Sequence, residues 1–239
     1  MGTHVNILHT EFLVHWTGKD FHDPPINDLN DAVRRHYVDR LADVLEHGVY
    51  MKPGTEKIHG SNAKWISATI PRTCFTEIKL TQARAHALRY GLLGIGVHRS
   101  FVLQRQGNPV FYVQSGDDSA VVENLDKVHA ALASSPADVR NLEAILGYVK
   151  KMSEQNSADL HYYDELEWRI VHLDRLEEKY LTVVDRGNGI FRINLAPEDV
   201  KLVVFPDDAT RQIALSDSRL GALVKTGPIF VTLHACGQF

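Results

Sequence analysis

Between Arg72 and His98 the chain reads RTCFTEIKLTQARAHALRYGLLGIGVH, and few local arrangements accommodate that run. Thr73, Cys74, Phe75 and Thr76 form a short apolar-leaning stretch of the kind that makes a strand. A helix is expected next, with Thr81 as its N-cap, Leu80, Ala83, Ala87 and Leu88 near one face, and Gly91 as its stop. Gly94-Ile95-Gly96-Val97 then reads as a second strand, where glycine lets another backbone or a ligand come close. A strand, a helix of small residues and a glycine-flanked strand together suggest one wall of a cleft.

Composition sets the outer limits. A chain of 239 residues buries a sizeable core, and its 44% hydrophobic and 23% charged residues are ordinary globular values. The net charge of -4 does not indicate a nucleic-acid partner, because backbone recognition requires clustered Lys and Arg. Arg84, Arg89, Arg99 and Arg105 read as a solvated face. The two cysteines, Cys74 and Cys236, are too few for a disulfide scaffold or a Cys-x-x-Cys zinc site, and both are expected to stay reduced. No metal signature appears. The N-terminus lacks a signal-peptide pattern and no apolar run approaches the roughly 20 residues of a membrane span, so the expectation is a cytoplasmic protein without a membrane partner.

In chain order, Phe12 to Gly18 reads as a buried strand ending in a glycine turn, with His15 near its end. Leu29, Val33, Tyr37, Leu41 and Val44 or Leu45 fall at helical spacing before Gly48. Pro53 to Asn62 reads as a polar loop, and Pro109 to Gln114 as a strand. Two helices are expected at about Val121–Ala133 and Pro136–Met152, the second capped by Ser135. They form a helical hairpin, residues 120–153, inserted into a single domain of residues 1–239. Further strands are expected at Tyr180–Val184, Ile190–Ile193, Leu202–Phe205 and Ile229–Leu233, with Ala209–Val224 helical in part.

Tyr162 to Val171, YYDELEWRIV, is the second informative stretch. As a strand it places Glu165, Glu167 and Arg169 on one face and Leu166, Trp168 and Ile170 on the other. Two carboxylates beside a guanidinium are either a surface ion-pair ladder or part of a polar site. Neighbouring like charges raise one carboxyl pKa unless Arg169 pairs with it.

Taken together, LVHWTG, CFTEI, HALRYGLLGIGVHRSFV, GNPVFYV and YYDELEWRIV resemble the AbiGi family of abortive phage-resistance proteins. The closing segments VVFPDDATRQIALSD and IFVTLHACGQF look like the end of the same family, so the resemblance runs from Val14 to Phe239. It implies a bacterial anti-phage role and a partner, a cognate toxin or another protein of the defence system.

A more distant resemblance, to His-Tyr-Glu ADP-ribosyltransferases, implies a chemistry. Those enzymes open with a strand carrying a histidine and then a glycine, as in Leu13-Val14-His15-Trp16-Thr17-Gly18, followed by a helix ending in glycine. Their aromatic strand and helix of small residues are similar to Cys74-Phe75-Thr76 and the segment reaching His86 and Tyr90, although Cys74 stands where they have tyrosine. The resemblance implies NAD as cofactor, with His15, Thr17, Gly18, Phe75, His86, Tyr90 and Arg169 binding it. Glu167, or Glu165, becomes the catalytic carboxylate against the ribose hydroxyls, stabilising positive charge as the nicotinamide bond breaks. Gly91 and Gly94 leave room for the dinucleotide.

The expected architecture is therefore α+β, with a mixed, largely antiparallel sheet, ADP-ribosyltransferase-like, carrying the helical hairpin. Two functions follow: a NAD-using defence enzyme, or a non-catalytic antitoxin or regulator that grips a partner chain. The second predicts an exposed apolar patch, for instance on helices 121–152.

Overall fold

A computed structural model describes residues 11–21, 29–59, 65–77, 79–114, 119–132, 134–152, 155–157, 160–161 and 166–237. The chain begins with β1 (Phe12–Thr17), α1 (Asp31–His47), β2 (Val49–His59), β3 (Trp65–Thr76), α2 (Ala83–Tyr90), β4 (Leu93–His98) and α3 (Arg99–Gln104). Next come β5 (Asn108–Pro109), β6 (Phe111–Val113), α4 (Ala120–Leu132), α5 (Pro136–Leu146), β7 (Val149–Lys151), β8 (Gln155–Ser157), β9 (Leu160–His161) and β10 (Glu167–Val171). It finishes with α6 (Asp174–Glu177), β11 (Leu181–Asp185), β12 (Ile190–Ile193), β13 (Val200–Phe205), α7 (Asp208–Ser216), α8 (Gly221–Thr226), β14 (Ile229–Thr232) and α9 (Leu233–Cys236). This is an α+β protein whose strand pairs are mostly antiparallel; β13–β14 and β6–β7 are parallel. It divides into two compact units, one of residues 1–49, 75–102 and 194–239, the other of residues 50–74 and 103–193.

The first unit is built on β1, β4, β13 and β14, in that spatial order. β1 and β4 run antiparallel from Phe12↔His98 to Thr17↔Leu93. Leu13, Leu93, Ile95, Val203, Val204 and Phe205 are essentially inaccessible to water, and each contributes roughly 1.5–3 kcal/mol through burial. α1 follows its hydrophobic stripe: Val33, Tyr37, Leu41 and Val44 are buried, and it packs on α7. The Asn30 side chain accepts from the Val33 N–H at 3.0 Å, capping its start, and Gly48 ends it with φ +92°.

α2 departs from expectation at its start. Leu80–Gln82 is a 3-10 turn and Gln82 precedes the helix without a side-chain cap, so Thr81 does not cap it. The buried face is Ala83, His86 and Ala87, while Leu88 is 52% exposed: at roughly 100° per residue it falls on the far side of the helix from Ala83 and His86, outside the packing on β1 and α9. The glycines of β4 serve protein packing. A Cβ at Gly96 would lie 2.7 Å from the Cβ of Leu202 on β13, and one at Gly94 would meet the Trp16 ring at 2.9 Å.

In the second unit the order β11-β12-β2-β3 is followed by β10, which pairs with both β3 and β5. β2 runs through the expected loop as far as His59. It pairs with β3 in unbroken register from Lys52↔Arg72 to His59↔Trp65, and Pro53 lies opposite Pro71, so the two missing donors fall on one rung. Cross-strand pairing overrides the low strand propensity of Pro53-Gly54. The expected second helix of the pair ends at Leu146 rather than Met152. Gly147 follows, and Val149–Lys151 pairs with Phe111–Val113 instead. α4 and α5 cover Ala68, Val113, Val122, Leu142, Leu146 and Val149, a local core.

Candidate functional site: a buried charge network on one strand

β10 alternates as expected, but its charged face is turned inward. Glu167 is 4% exposed and Arg169 1%, which replaces the surface ion pair with a buried one. Glu165 lies outside the described residues. Arg169 Nε donates to Glu167 Oε1 at 2.7 Å and Nη2 donates to Oε2 at 3.1 Å, so the guanidinium grips the carboxylate with two bonds. Its Nη1 donates to the Gly147 carbonyl at 2.7 Å, and Nη2 lies 2.8 Å from Glu56 Oε1 on β2. Lys150 Nζ, on β7, donates to Glu167 Oε2 at 2.8 Å. Arg72 of β3 donates to Glu56 at 2.7 Å and to the Gly54 carbonyl. Three cations and two carboxylates thus interlock within the second unit.

The network fixes the protonation states. Burial alone would raise the Glu167 pKa, but the Arg169 and Lys150 charges overcome it and hold the carboxyl at about 2. A carboxylate so weakly basic takes up no proton near neutrality, and both its oxygens are already accepting hydrogen bonds. Burial pushes the Cys74 thiol up to about 12, with the adjacent Glu167 charge adding to it. Cys74 has considerable accessible surface, yet its thiol hydrogen-bonds to the buried carboxylate. Burial of the sulfur, with the adjacent carboxylate charge, governs the thiol's acidity, so exposure of the rest of the residue does not make it a nucleophile. Alkylation of native protein by iodoacetamide at pH 8 is therefore expected to be far slower than after denaturation. A reaction rate in the native state that reaches half its plateau near pH 8 to 9 would contradict this.

The remaining expected site residues lie in the first unit. His15, on β1, sits 5.8 Å ring to ring from the buried Phe75. Thr17 Oγ1 accepts from Arg40 Nη1 at 2.9 Å. Gly18, with φ +94°, lies so close under Tyr37 that a Cβ would stand 2.4 Å from the ring. His86 is buried on α2, and Tyr90 lies one turn on, 6.3 Å away; the half-buried Tyr90 ring carries the Arg89 guanidinium at 5.1 Å. The structure thus groups His15 with Phe75, and His86 with Tyr90 on α2, which packs on β1, while Glu167 and Arg169 belong to the second unit. The space opposite Gly94, expected to admit a dinucleotide, is filled by Trp16.

Glu56, Arg72 and Lys150 were not among the expected site residues. Glu56 lies in the segment that reads as a loop and Lys150 in the segment that reads as a helix, so neither periodicity places them beside β10. Among the described residues no helix is long and apolar enough to cross a membrane.

No curated protein and no solved structure matches this chain, so the ADP-ribosyltransferase resemblance finds no counterpart there. A family model does match, over residues 44–206, described as "putative abortive phage resistance protein AbiGi, antitoxin". That span runs from the end of α1 to the end of β13, takes in every member of the charge network, and covers more than half of the chain: the protein belongs to the AbiGi family of abortive phage-resistance proteins.

Proposed function

We propose that this chain is the partner-binding antitoxin of a bacterial abortive-infection pair, acting in the cytoplasm by gripping its cognate toxin rather than by chemistry on NAD. The observation that carries this reading is the state of Glu167. A carboxylate that must orient ribose hydroxyls needs open acceptor sites, and here its oxygens already accept two bonds from Arg169, one from Lys150 and one from the Cys74 thiol. The helical pair supplies a surface in keeping with it: Val121, Val128 and Ile145 are 41%, 47% and 60% exposed. Exposed apolar groups of this size mark contact surfaces when they cluster.

Two experiments test the reading together. Co-expression with the toxin encoded alongside is expected to relieve growth arrest and give a complex in size-exclusion chromatography. Val128→Glu with Ile145→Glu should abolish that complex while leaving the circular dichroism unchanged. Titration calorimetry with millimolar NAD is expected to give no heat. Micromolar NAD binding that is lost in His15→Ala would overturn the proposal in favour of a NAD-using enzyme in which His15, Tyr90 and Glu167 handle the dinucleotide.

A further inference from the structure

Away from the charge network, but within the same unit, the sequence His172-Leu-Asp174-Arg-Leu-Glu177 leaves β10 and enters α6. One ligand atom from each of His172, Asp174 and Glu177 lies within 4.8 Å of the others. The imidazole is held before anything binds. It stacks on Phe191 at 4.1 Å with 22° between the planes, and its backbone N–H donates to the Pro71 carbonyl at 2.9 Å. His172 Nε2 lies 2.8 Å from Glu177 Oε1, and Arg186 Nη2 donates to Glu177 Oε2 at 2.7 Å.

Arg186 faces both carboxylates, hydrogen-bonded to Glu177 and within reach of the Asp174 charge. Its side chain is 68% exposed, so solvent screens the pair and leaves it weak enough for a cation to displace. Asp174 adds a second carboxylate to the cluster, and a bound divalent cation, unlike the single solvated guanidinium charge, would balance both. We propose that His172 Nε2, Asp174 and Glu177 form a binding site for a divalent transition ion of the zinc class. One nitrogen and two oxygens are the donors such an ion takes in open sites, with water completing the shell. Metal–ligand bonds of about 2.0–2.2 Å require donor atoms roughly 3.3 Å apart. Reaching that spacing requires the 2.8 Å His172–Glu177 pair to open slightly and the wider members of the cluster to draw in. This site is independent of partner binding and of the Glu167 network.

Equilibrium dialysis of the full chain against zinc chloride, with a competing chelator, tests it. The chain carries 13 histidines, so background binding is controlled by His47→Ala, an exposed histidine elsewhere. One zinc ion per chain is expected in the wild type and in His47→Ala. Asp174→Asn and His172→Gln should each weaken binding at least about tenfold, and Arg186→Ala should tighten it by removing the competitor for Glu177. Asp174 is exposed, so Asp174→Asn keeps its fold and decides the matter even where His172→Gln disturbs the stacking on Phe191. Equal zinc binding in the wild type and Asp174→Asn, or none in the wild type, would overturn the proposal.

Discussion

Arg169→Met lowers the stability of the protein by about 3–5 kcal/mol at pH 7, the largest loss expected from any single surface-neutral substitution in the second unit. Methionine replaces most of the volume, so the loss is electrostatic rather than steric. It leaves Glu167, 4% exposed, with Lys150 as its remaining cation among the groups described above, and strips the Gly147 carbonyl of its donor. Urea unfolding of both proteins measures the difference; a loss below about 1 kcal/mol would mean that Lys150 and water carry the carboxylate unaided. Removing both charges as Glu167→Leu with Arg169→Met should recover part of the loss, because well-packed apolar side chains replace buried ion pairs at little cost.

The same network sets an acid limb. Glu167 titrates at about 2 in the folded state against an ordinary carboxyl value of 4.5. Because the folded pKa is depressed, the contribution is complete above pH 4.5 and is lost as the pH falls from 4.5 towards 2. Its size is on the order of 3 kcal/mol. Glu167→Gln should therefore be less stable than wild type at pH 7, and the gap should narrow through that window. A gap that stays constant down to pH 2 would assign the stabilisation to packing.

Sequence periodicity carried much of this fold. The stripe of α1 and its Gly48 end are local properties, and so are the strands at β1, β4, β13 and β14; the Asn30 cap emerges only from the structure. Where two partners lie far apart in sequence, the pattern was silent. Pro53–His59 reads as a loop because proline and glycine lower strand propensity, yet β3 supplies a full ladder for it. Val149–Lys151 reads as the end of a helix because Leu142, Leu146 and Val149 share a helical stripe, but Gly147 and the parallel partner β6 decide otherwise. The candidate site was legible to the same degree. Alternation put Glu167 and Arg169 on one face, correctly, but alternation never says which face of a strand is covered. That face is covered in part by Glu56 and Lys150, 111 and 17 residues away along the chain from Glu167, whose own segments read as a loop and a helix.

Gly91→Ala is expected to cost about 2–4 kcal/mol and is the sharper test of what the glycines of the 72–98 stretch are for. Gly91 ends α2 with φ +120°, a conformation strained for any residue with a Cβ. That Cβ would lie 2.1 Å from the Thr17 carbonyl oxygen and 2.5 Å from the Lys19 nitrogen, both backbone atoms that no rotamer change can move. The clash and the strain fall where the end of α2 meets the turn that leaves β1, so the first unit should loosen as a whole. Thermal unfolding and amide exchange of β1 and β4 measure it. If Gly91 instead existed to leave room for a dinucleotide, the variant would keep its melting temperature and lose only ligand binding. Wild-type stability in Gly91→Ala would therefore contradict the packing role. A melting temperature lowered equally with and without NAD identifies the contact with Thr17 as what requires glycine.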